Sequence, residues 1–469
     1  MPGAAAGLAG ASQRMDSMAA VDLGAIFKAY DVRGTYPDQL DEAVAAAVGR
    51  AFARQQGAPR IVVGRDMRPS GPSLVAAFSD GARSEGTEVV DIGVISTDLL
   101  YFASGHLDAP GAMFTASHNP AVYNGIKLCG PAARPIGIES GLGDIAEEVR
   151  DHVGEPLAPA RAARVQADLW PAWVEHVHSF IDVAALRPLR VVADVANGMG
   201  ALVAPRVFAN LPVELDVLYP ELDGTFPNHP ADPINPANLV DLQRRVRETG
   251  ADVGLAFDGD ADRVFLVDER GGVISGSTTT ALVAASLLDR HPGETVLFNL
   301  ICSRTVPEVI AEHGGVGVRT RVGHSFIKQV MAQTGAVFGG EHSGHYYYRD
   351  NFRADSGVIT ALIVLELLSR GTDPLSTVAA PFQRYAASGE HNSQVGDPAA
   401  VLGRVRERLA AEGAMIDELD GLTVDMGAWW FNLRPSNTEP LLRVNVEAAD
   451  EESCARHLAE VQAMIEEAR

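Results

Sequence analysis

The chain has 469 residues, 46% hydrophobic and 21% charged, with 46 glycines and 27 prolines spread along it; this excludes disordered and fibrous classes and suggests three or four domains. Its 38 Lys and Arg against 61 Asp and Glu give a formal net charge of −23, so it repels nucleic acid and anionic membrane in bulk, and a phosphorylated ligand needs a local basic cluster. Cys129, Cys302 and Cys454 are odd in number and lack metal spacing, which fits a reducing cytoplasm.

Residues 1–19 lack the basic start and compact apolar core of a signal peptide and read as a disordered tail. From about residue 20, short β-rich runs alternate with helical ones. RIVVGRD (60–66), SLVAAFSDGARSEG and TEVVDIG (87–93) make one such βαβ unit, and FKAYDVRG (27–34) before it places Arg33 on a loop.

TASHNP (115–120) then sets Ser117 beside His118, with Lys127 within reach in SHNPAVYNGIK. A hydrolase elbow would read G-x-S-x-G, so acyl transfer is a weak reading. A serine that carries phosphate needs a metal, positive charge and a proton acceptor nearby. The alternative is a serine that only caps a turn.

After the Pro/Ala-rich GEPLAPARAAR (154–164), a second unit runs through LRVVADVANG (189–198), ALVAPRVFANL and VELDVLY. DGDADR (258–263) lies between the apolar runs VGLAF and VFLV, so Asp258, Asp260 and Asp262 share a loop between two strands. Alternate carboxylates there can converge on a hard divalent cation, with Mg²⁺ favoured. An EF-hand is excluded by Arg263 at its sixth position, where a sharp turn needs glycine; a solvated acidic turn is the remaining alternative.

The turn DERGGVISG (268–276) opens a third unit, ETVLFNL (294–300), SRTVPEVIAEHG and GVGVRTRVG. In GGEHSGHYYYRDNFRADSG (339–357), Glu341, Ser343 and His345 alternate, so an extended loop would aim all three one way, toward sugar hydroxyls and a proton shuttle. Tyr346, Tyr347 and Tyr348 read as strand packing. The apolar run VITALIVLELL (358–368) is broken by Glu366 and too short to span a bilayer. A loop over 371–389 precedes a last segment of helix, strands and closing helix, an α+β unit of another type. There, RPSNTEPLLR (434–443) gathers Arg434, Ser436, Asn437, Thr438 and Arg443 into an anion pocket or, alternatively, a plain solvated turn.

TASHNP with NGIK, DGDADR, GGEHSGH and RPSNTEP, in that order and together with KAYDVRG and VGHSFIK (322–328), resemble the loops of the α-D-phosphohexomutase family. The resemblance covers about residue 20 to 469. It implies three related α/β domains, mixed sheets flanked by helices, over 20–160, 161–271 and 272–384. A smaller C-terminal α+β domain over 385–469 would complete a central cleft.

The resemblance further implies reversible phosphate transfer between O1 and O6 of a hexose, through phospho-Ser117 and a hexose 1,6-bisphosphate. Asp258, Asp260, Asp262 and a phosphoserine oxygen on Ser117 would hold Mg²⁺, and Arg263 and Arg33 would balance charge. Lys127, His118 and His345 are the proton-moving candidates. Glu341, Ser343 and His345, with His324 nearby, would bind the sugar, and Arg434, Ser436, Asn437, Thr438 and Arg443 the resting phosphate.

His345 points to the phosphomannomutase/phosphoglucomutase branch, although His342 stands where the phosphoglucosamine branch carries glutamine. One departure is Ile301 in NLICSR (299–304), at an expected ligand-facing lysine. The expected partner is a small phosphosugar, with neither nucleic acid nor membrane, for a cytoplasmic monomer or dimer. The alternatives are a phosphoglucosamine mutase, a catalytically idle phosphosugar-binding protein and a phosphatase using the Asp loop.

Overall fold

The computed structural model describes residues 22–435 and 441–469, the His324 side chain excepted; the expected tail lies outside them. Among the described residues four sheets follow one another along the chain. The first runs Val32–Thr35, Tyr123–Gly130, Gly111–Phe114, Arg60–Arg65, Glu88–Val94 and Arg164–Gln166 from edge to edge. Arg60–Arg65 pairs in parallel with both neighbours, while Tyr123–Gly130 is antiparallel to its own. Ile61, Val62 and Val63 are all fully buried, as a strand covered by helices on both faces requires.

Helix Glu42–Gln56 starts at Asp41, whose side chain accepts from the Val44 amide, and stops at Gly57 in the left-handed conformation. It crosses helix Gly71–Ser84 at very short range. A Cβ on Gly49 would stand 2.1 Å from the Phe78 carbonyl oxygen and one on Gly81 2.0 Å from that of Ala46, so each glycine is the space the other helix fills.

The second sheet orders Val273–Ile274, Val264–Asp268, Val253–Phe257, Leu189–Asp194 and Val213–Leu218; the third, Val316–Thr320, Thr295–Asn299, Phe338–Gly340 and Tyr346–Tyr348. Both mix parallel and antiparallel pairs. The fourth is wholly antiparallel, in the order Ala386–Gln394, Leu441–Ala448, Trp430–Pro435, Leu422–Asp425 and Met415–Asp417, and carries helices Pro398–Ala411 and Glu451–Glu467.

One apolar core runs continuously from the first sheet through the second to the third, whereas the fourth sheet packs its own. Helix Gly357–Ser369, apolar all round, lies in the shared core, and its Glu366 is paired by Arg290 and Arg370. No helix among the described residues is long and apolar enough to cross a membrane.

Five local readings change, the first being Arg33, which lies on strand Val32–Thr35 and not on a loop. Arg164–Gln166 joins the first sheet and Val273–Ile274 the second, because each strand pairs backward across the turn or linker expected to end a domain. The loop expected over 371–389 contains helix Leu375–Ala379 and the start of strand Ala386–Gln394. Residues 341–344 form a turn, closed by the Gly344 amide on the Glu341 carbonyl at 3.1 Å with Gly344 at a φ of 86°, and not an extended loop. The strand alternation that would aim Glu341, Ser343 and His345 one way therefore does not apply.

Candidate functional site

Three of the expected loops leave the carboxyl ends of sheet strands: 115–122 after Gly111–Phe114, 258–263 after Val253–Phe257, and 341–345 after Phe338–Gly340. Strand ends of parallel α/β sheets are where ligands bind, because loops and not packed helices surround them. The first two loops interlock.

Ser117 is buried at 5% exposure and held at a φ of 49°, a left-handed conformation rare for a side chain bearing Cβ. Its amide donates to Thr115 Oγ1 at 2.9 Å, and its Oγ donates to Asp258 Oδ2 at 2.7 Å. Arg263 Nη2 approaches the same Oγ at 3.5 Å while its Nε donates to Asp258 Oδ2 at 3.0 Å. Backbone fit enforces this meeting: a Cβ on Gly259 would stand 2.3 Å from the Ser117 carbonyl oxygen.

Asp258, Asp260 and Asp262 are all buried, with ligand oxygens within 4.8 Å of one another. Burial, reinforced by the neighbouring Asp262 and Asp260 and opposed by Arg263, pushes the Asp258 carboxyl up to about 7. Burial also opposes ionisation of Asp260, but the Lys127 ammonium outweighs it and holds that carboxyl well below the usual range. Lys127 Nζ bridges Asp260 Oδ2 and Asp262 Oδ2, each at 2.8 Å, and Thr97 donates to Asp260 Oδ2 at 2.5 Å. The outer oxygens, Asp260 Oδ1 and Asp262 Oδ1, are buried without a hydrogen-bond partner among the described residues. Three carboxylates with two such oxygens fit a hard divalent cation.

His118 is exposed, and its Nδ1 accepts from Arg263 Nη2 at 2.6 Å. The Arg263 guanidinium, with burial of the ring second, drives its imidazole well below the ordinary value, although water at the exposed face screens part of this. Arg33 donates to Asn119 Oδ1 at 2.7 Å and pairs with Asp31.

His345 contributes from the third unit: its Nδ1 bonds Asp355 Oδ2 at 2.7 Å and lies 3.9 Å from Asp262 Oδ1. Burial alone would lower its pKa, but Asp262 and Asp355 raise it overall. Behind it, buried Lys328 reaches Asp355 Oδ1 at 3.0 Å and sits 3.7 Å over the Tyr101 ring. Glu341 is buried, and Tyr347 and Asn299 donate to its two carboxylate oxygens at 2.6 and 3.2 Å. Ser343 is half-buried on the turn, and Ile301 lines a cavity with Ser277 and His342 between the third and fourth units. His324 begins a helix.

On the fourth sheet, Arg434 and Arg443 stand directly opposite each other on paired strands. Ser436, Asn437 and Thr438 lie outside the described residues.

Sequence reading passed over several participants. Buried Arg68 carries the loop of Ser117: its guanidinium donates to the carbonyl oxygens of Ser117, Asn119, Pro120 and Tyr123 at 2.7 to 2.9 Å, with Asp66 against its Nε. The pattern R-D-M-R at the end of an apolar strand is its one local trace. Asp98, buried and accepting from Ser96 and Ser356, joins the first unit to the third, and Lys328 with Asp355 backs His345.

Four family models match the chain in order: phosphoglucomutase/phosphomannomutase alpha/beta/alpha domain I over residues 24–152, domain II over 171–272, domain III over 275–385 and the C-terminal domain over 390–464. A Xanthomonas campestris pv. campestris protein named "Phosphohexose mutases" is 40% identical over 423 residues, 90% of this chain and 94% of that one. A phosphomannomutase of Salmonella montevideo is 39% identical, with the same shares covered. The crystal structure of a phosphoglucomutase/phosphomannomutase family protein from Burkholderia thailandensis superimposes with a TM-score of 0.86 at 32% identity, covering 96% of this chain and 98% of that one.

Proposed function

This chain belongs to the phosphoglucomutase/phosphomannomutase family and is an enzyme of it, and on that premise we propose that it moves phosphate reversibly between O1 and O6 of a hexose, with phospho-Ser117 as the carrier. The observation that supports this most is the Ser117 Oγ to Asp258 contact of 2.7 Å, made between two sheets beside Arg263 and Lys127. A nucleophile wedged against the acids and Arg263 of another domain, with Lys127 from its own, suits phosphoryl transfer, where positioning and charge neutralisation supply most of the rate.

In the forward half-reaction the bond from phosphorus to Ser117 Oγ breaks as a bond to the free sugar hydroxyl oxygen forms. The hydroxyl proton passes to a side-chain base, leaving a hexose 1,6-bisphosphate. That intermediate turns round and returns its other phosphate to Ser117. Asp258, Asp260, Asp262 and a phosphoserine oxygen would hold Mg²⁺, which when bound supplies charge neutralisation at the phosphoryl oxygens. Arg263 and Arg33 would balance charge at the same oxygens.

Of the three proton-moving candidates, Lys127 is committed to two aspartates and the His118 Nδ1 to Arg263. His345 keeps its Nε2 without a partner among the described residues while Asp355 orients its Nδ1, an arrangement suited to proton transfer. Ser343, His345 and His324 would meet sugar hydroxyls, and Glu341 would do so after exchanging a present partner. Arg434, Ser436, Asn437, Thr438 and Arg443 would hold the phosphate that is not reacting.

Mannose phosphate is the favoured substrate, because relatives of similar length are named phosphomannomutase; glucose phosphates are the expected second. A coupled assay on mannose 1-phosphate, glucose 1-phosphate and glucosamine 6-phosphate with an activating bisphosphate tests this. Turnover of glucosamine 6-phosphate alone would reassign the sugar, and no turnover of any would overturn the mutase reading.

A further inference from the structure

Arg434 and Arg443 face each other across strands Trp430–Pro435 and Leu441–Ala448, where two like charges repel. A carboxylate from the next strand relieves this. Glu390 Oε2 accepts from Arg434 Nη2 at 2.5 Å, and Glu390 Oε1 lies 3.3 Å from Arg443 Nη1. Of the three partners Arg434 is the fixed one: its side chain is 10% exposed, against 32% for Glu390 and 33% for Arg443. Arg434 is anchored in the sheet, whereas the carboxylate and Arg443 both have a path to water.

We propose that Glu390 is a specificity-determining residue of the phosphate clamp: it occupies the arginine pair between phosphates and yields its place when a phosphate arrives. This rests on the role given to Arg434 and Arg443 above. Without Glu390, letting go of a phosphate would leave two facing guanidinium groups with no carboxylate partner among the described residues, and release would be slow. With it, one anion replaces another and release costs less. An enzyme that must turn its bisphosphate round within each cycle needs a clamp that opens as readily as it closes. The resident carboxylate also sets a threshold, since a singly charged anion such as chloride competes with it poorly and a phosphate dianion competes well.

The test compares wild type with Glu390→Gln, and with Glu390→Asp, whose shorter carboxylate cannot reach both arginines. Thermal unfolding establishes that each variant is folded. Calorimetric titration with inorganic phosphate is expected to show the Gln variant binding about tenfold more tightly than wild type, the scale of one close like charge removed, and the Asp variant, which keeps the charge but loses part of its contact, binding between the two. Steady-state kinetics on the hexose 1-phosphate are expected to show KM and kcat falling together. Unchanged or weaker phosphate binding in the Gln variant, or KM rising at constant kcat, would overturn the proposal and leave Glu390 a prop for the arginines. The titration needs no turnover, so it decides the matter even if wild type proves inactive on every hexose phosphate, the result that would sink the mutase reading instead.

Discussion

Arg68 reaches under the loop that presents Ser117 and donates to the Ser117 carbonyl oxygen at 2.9 Å. Its guanidinium serves three further carbonyls of the same loop, so a single buried cation replaces the backbone pairing that a strand or helix would have provided.

Arg68→Met is expected to destabilise the protein by about 3–5 kcal/mol, because it leaves the buried Asp66 carboxylate without its cation. Adding Asp66→Asn should recover much of that stability while activity stays low, since the loop carbonyls remain unsatisfied. Urea unfolding and the coupled assay on both variants separate the two effects. Equal recovery of stability and activity would show that Arg68 does not position Ser117.

Gly259→Ala should act through the backbone alone. With its Cβ 2.3 Å from the Ser117 carbonyl oxygen, the two loops must separate, and a displacement near 1 Å lowers turnover about 100-fold. Intact-mass measurement after incubation with a hexose bisphosphate should show little phosphate on the variant. Wild-type labelling would contradict the interlock.

Ser117→Ala is expected to abolish mutase turnover and phosphate incorporation. Full retention would instead favour an aspartate of the 258–263 loop as the phosphate acceptor. Exhaustive chelation of the wild type should also stop turnover, with Mg²⁺ restoring it, and Asp260→Asn should weaken that restoration by removing a ligand carboxylate. Full activity in the chelated enzyme would remove the metal from the reading.

At the second sheet, His229 Nε2 lies 3.1 Å from Asp194 Oδ2. Burial lowers the His229 pKa, but its hydrogen bond and charge interaction with Asp194 prevail and raise it. The folded state thus binds the proton more tightly than the unfolded chain. Its stabilisation is complete below about pH 6.5, the unfolded value, and is lost as pH rises through the higher folded value. Unfolding of His229→Gln should show a deficit of up to about 1 kcal/mol at low pH that closes above that window. A deficit independent of pH would exclude the protonated pair.

Much of the fold was legible because its signals are local. Apolar runs such as RIVVGRD and VGLAF became strands Arg60–Arg65 and Val253–Phe257, and the glycine of DGDADR marks where two backbones touch. The turn at Glu341 was misread because strand alternation assumes an extended backbone, whereas Gly344 takes a positive φ and folds the segment on itself. Arg68, Lys328 and Glu390 carried no legible role, since a charged residue in sequence reads as surface until its partner is known.

The amino-acid sequence by itself determined which loops carry serine, aspartate, histidine and arginine, and that strands present them, since periodicity and turn residues act over a few positions. Only the tertiary structure decided which charges meet. Ser117 and Asp258 are 141 residues apart, Lys127 and Asp260 are 133, and Arg434 and Glu390 are 44. Such pairs form because burial makes an uncompensated charge costly, and packing alone selects the partner that removes the cost.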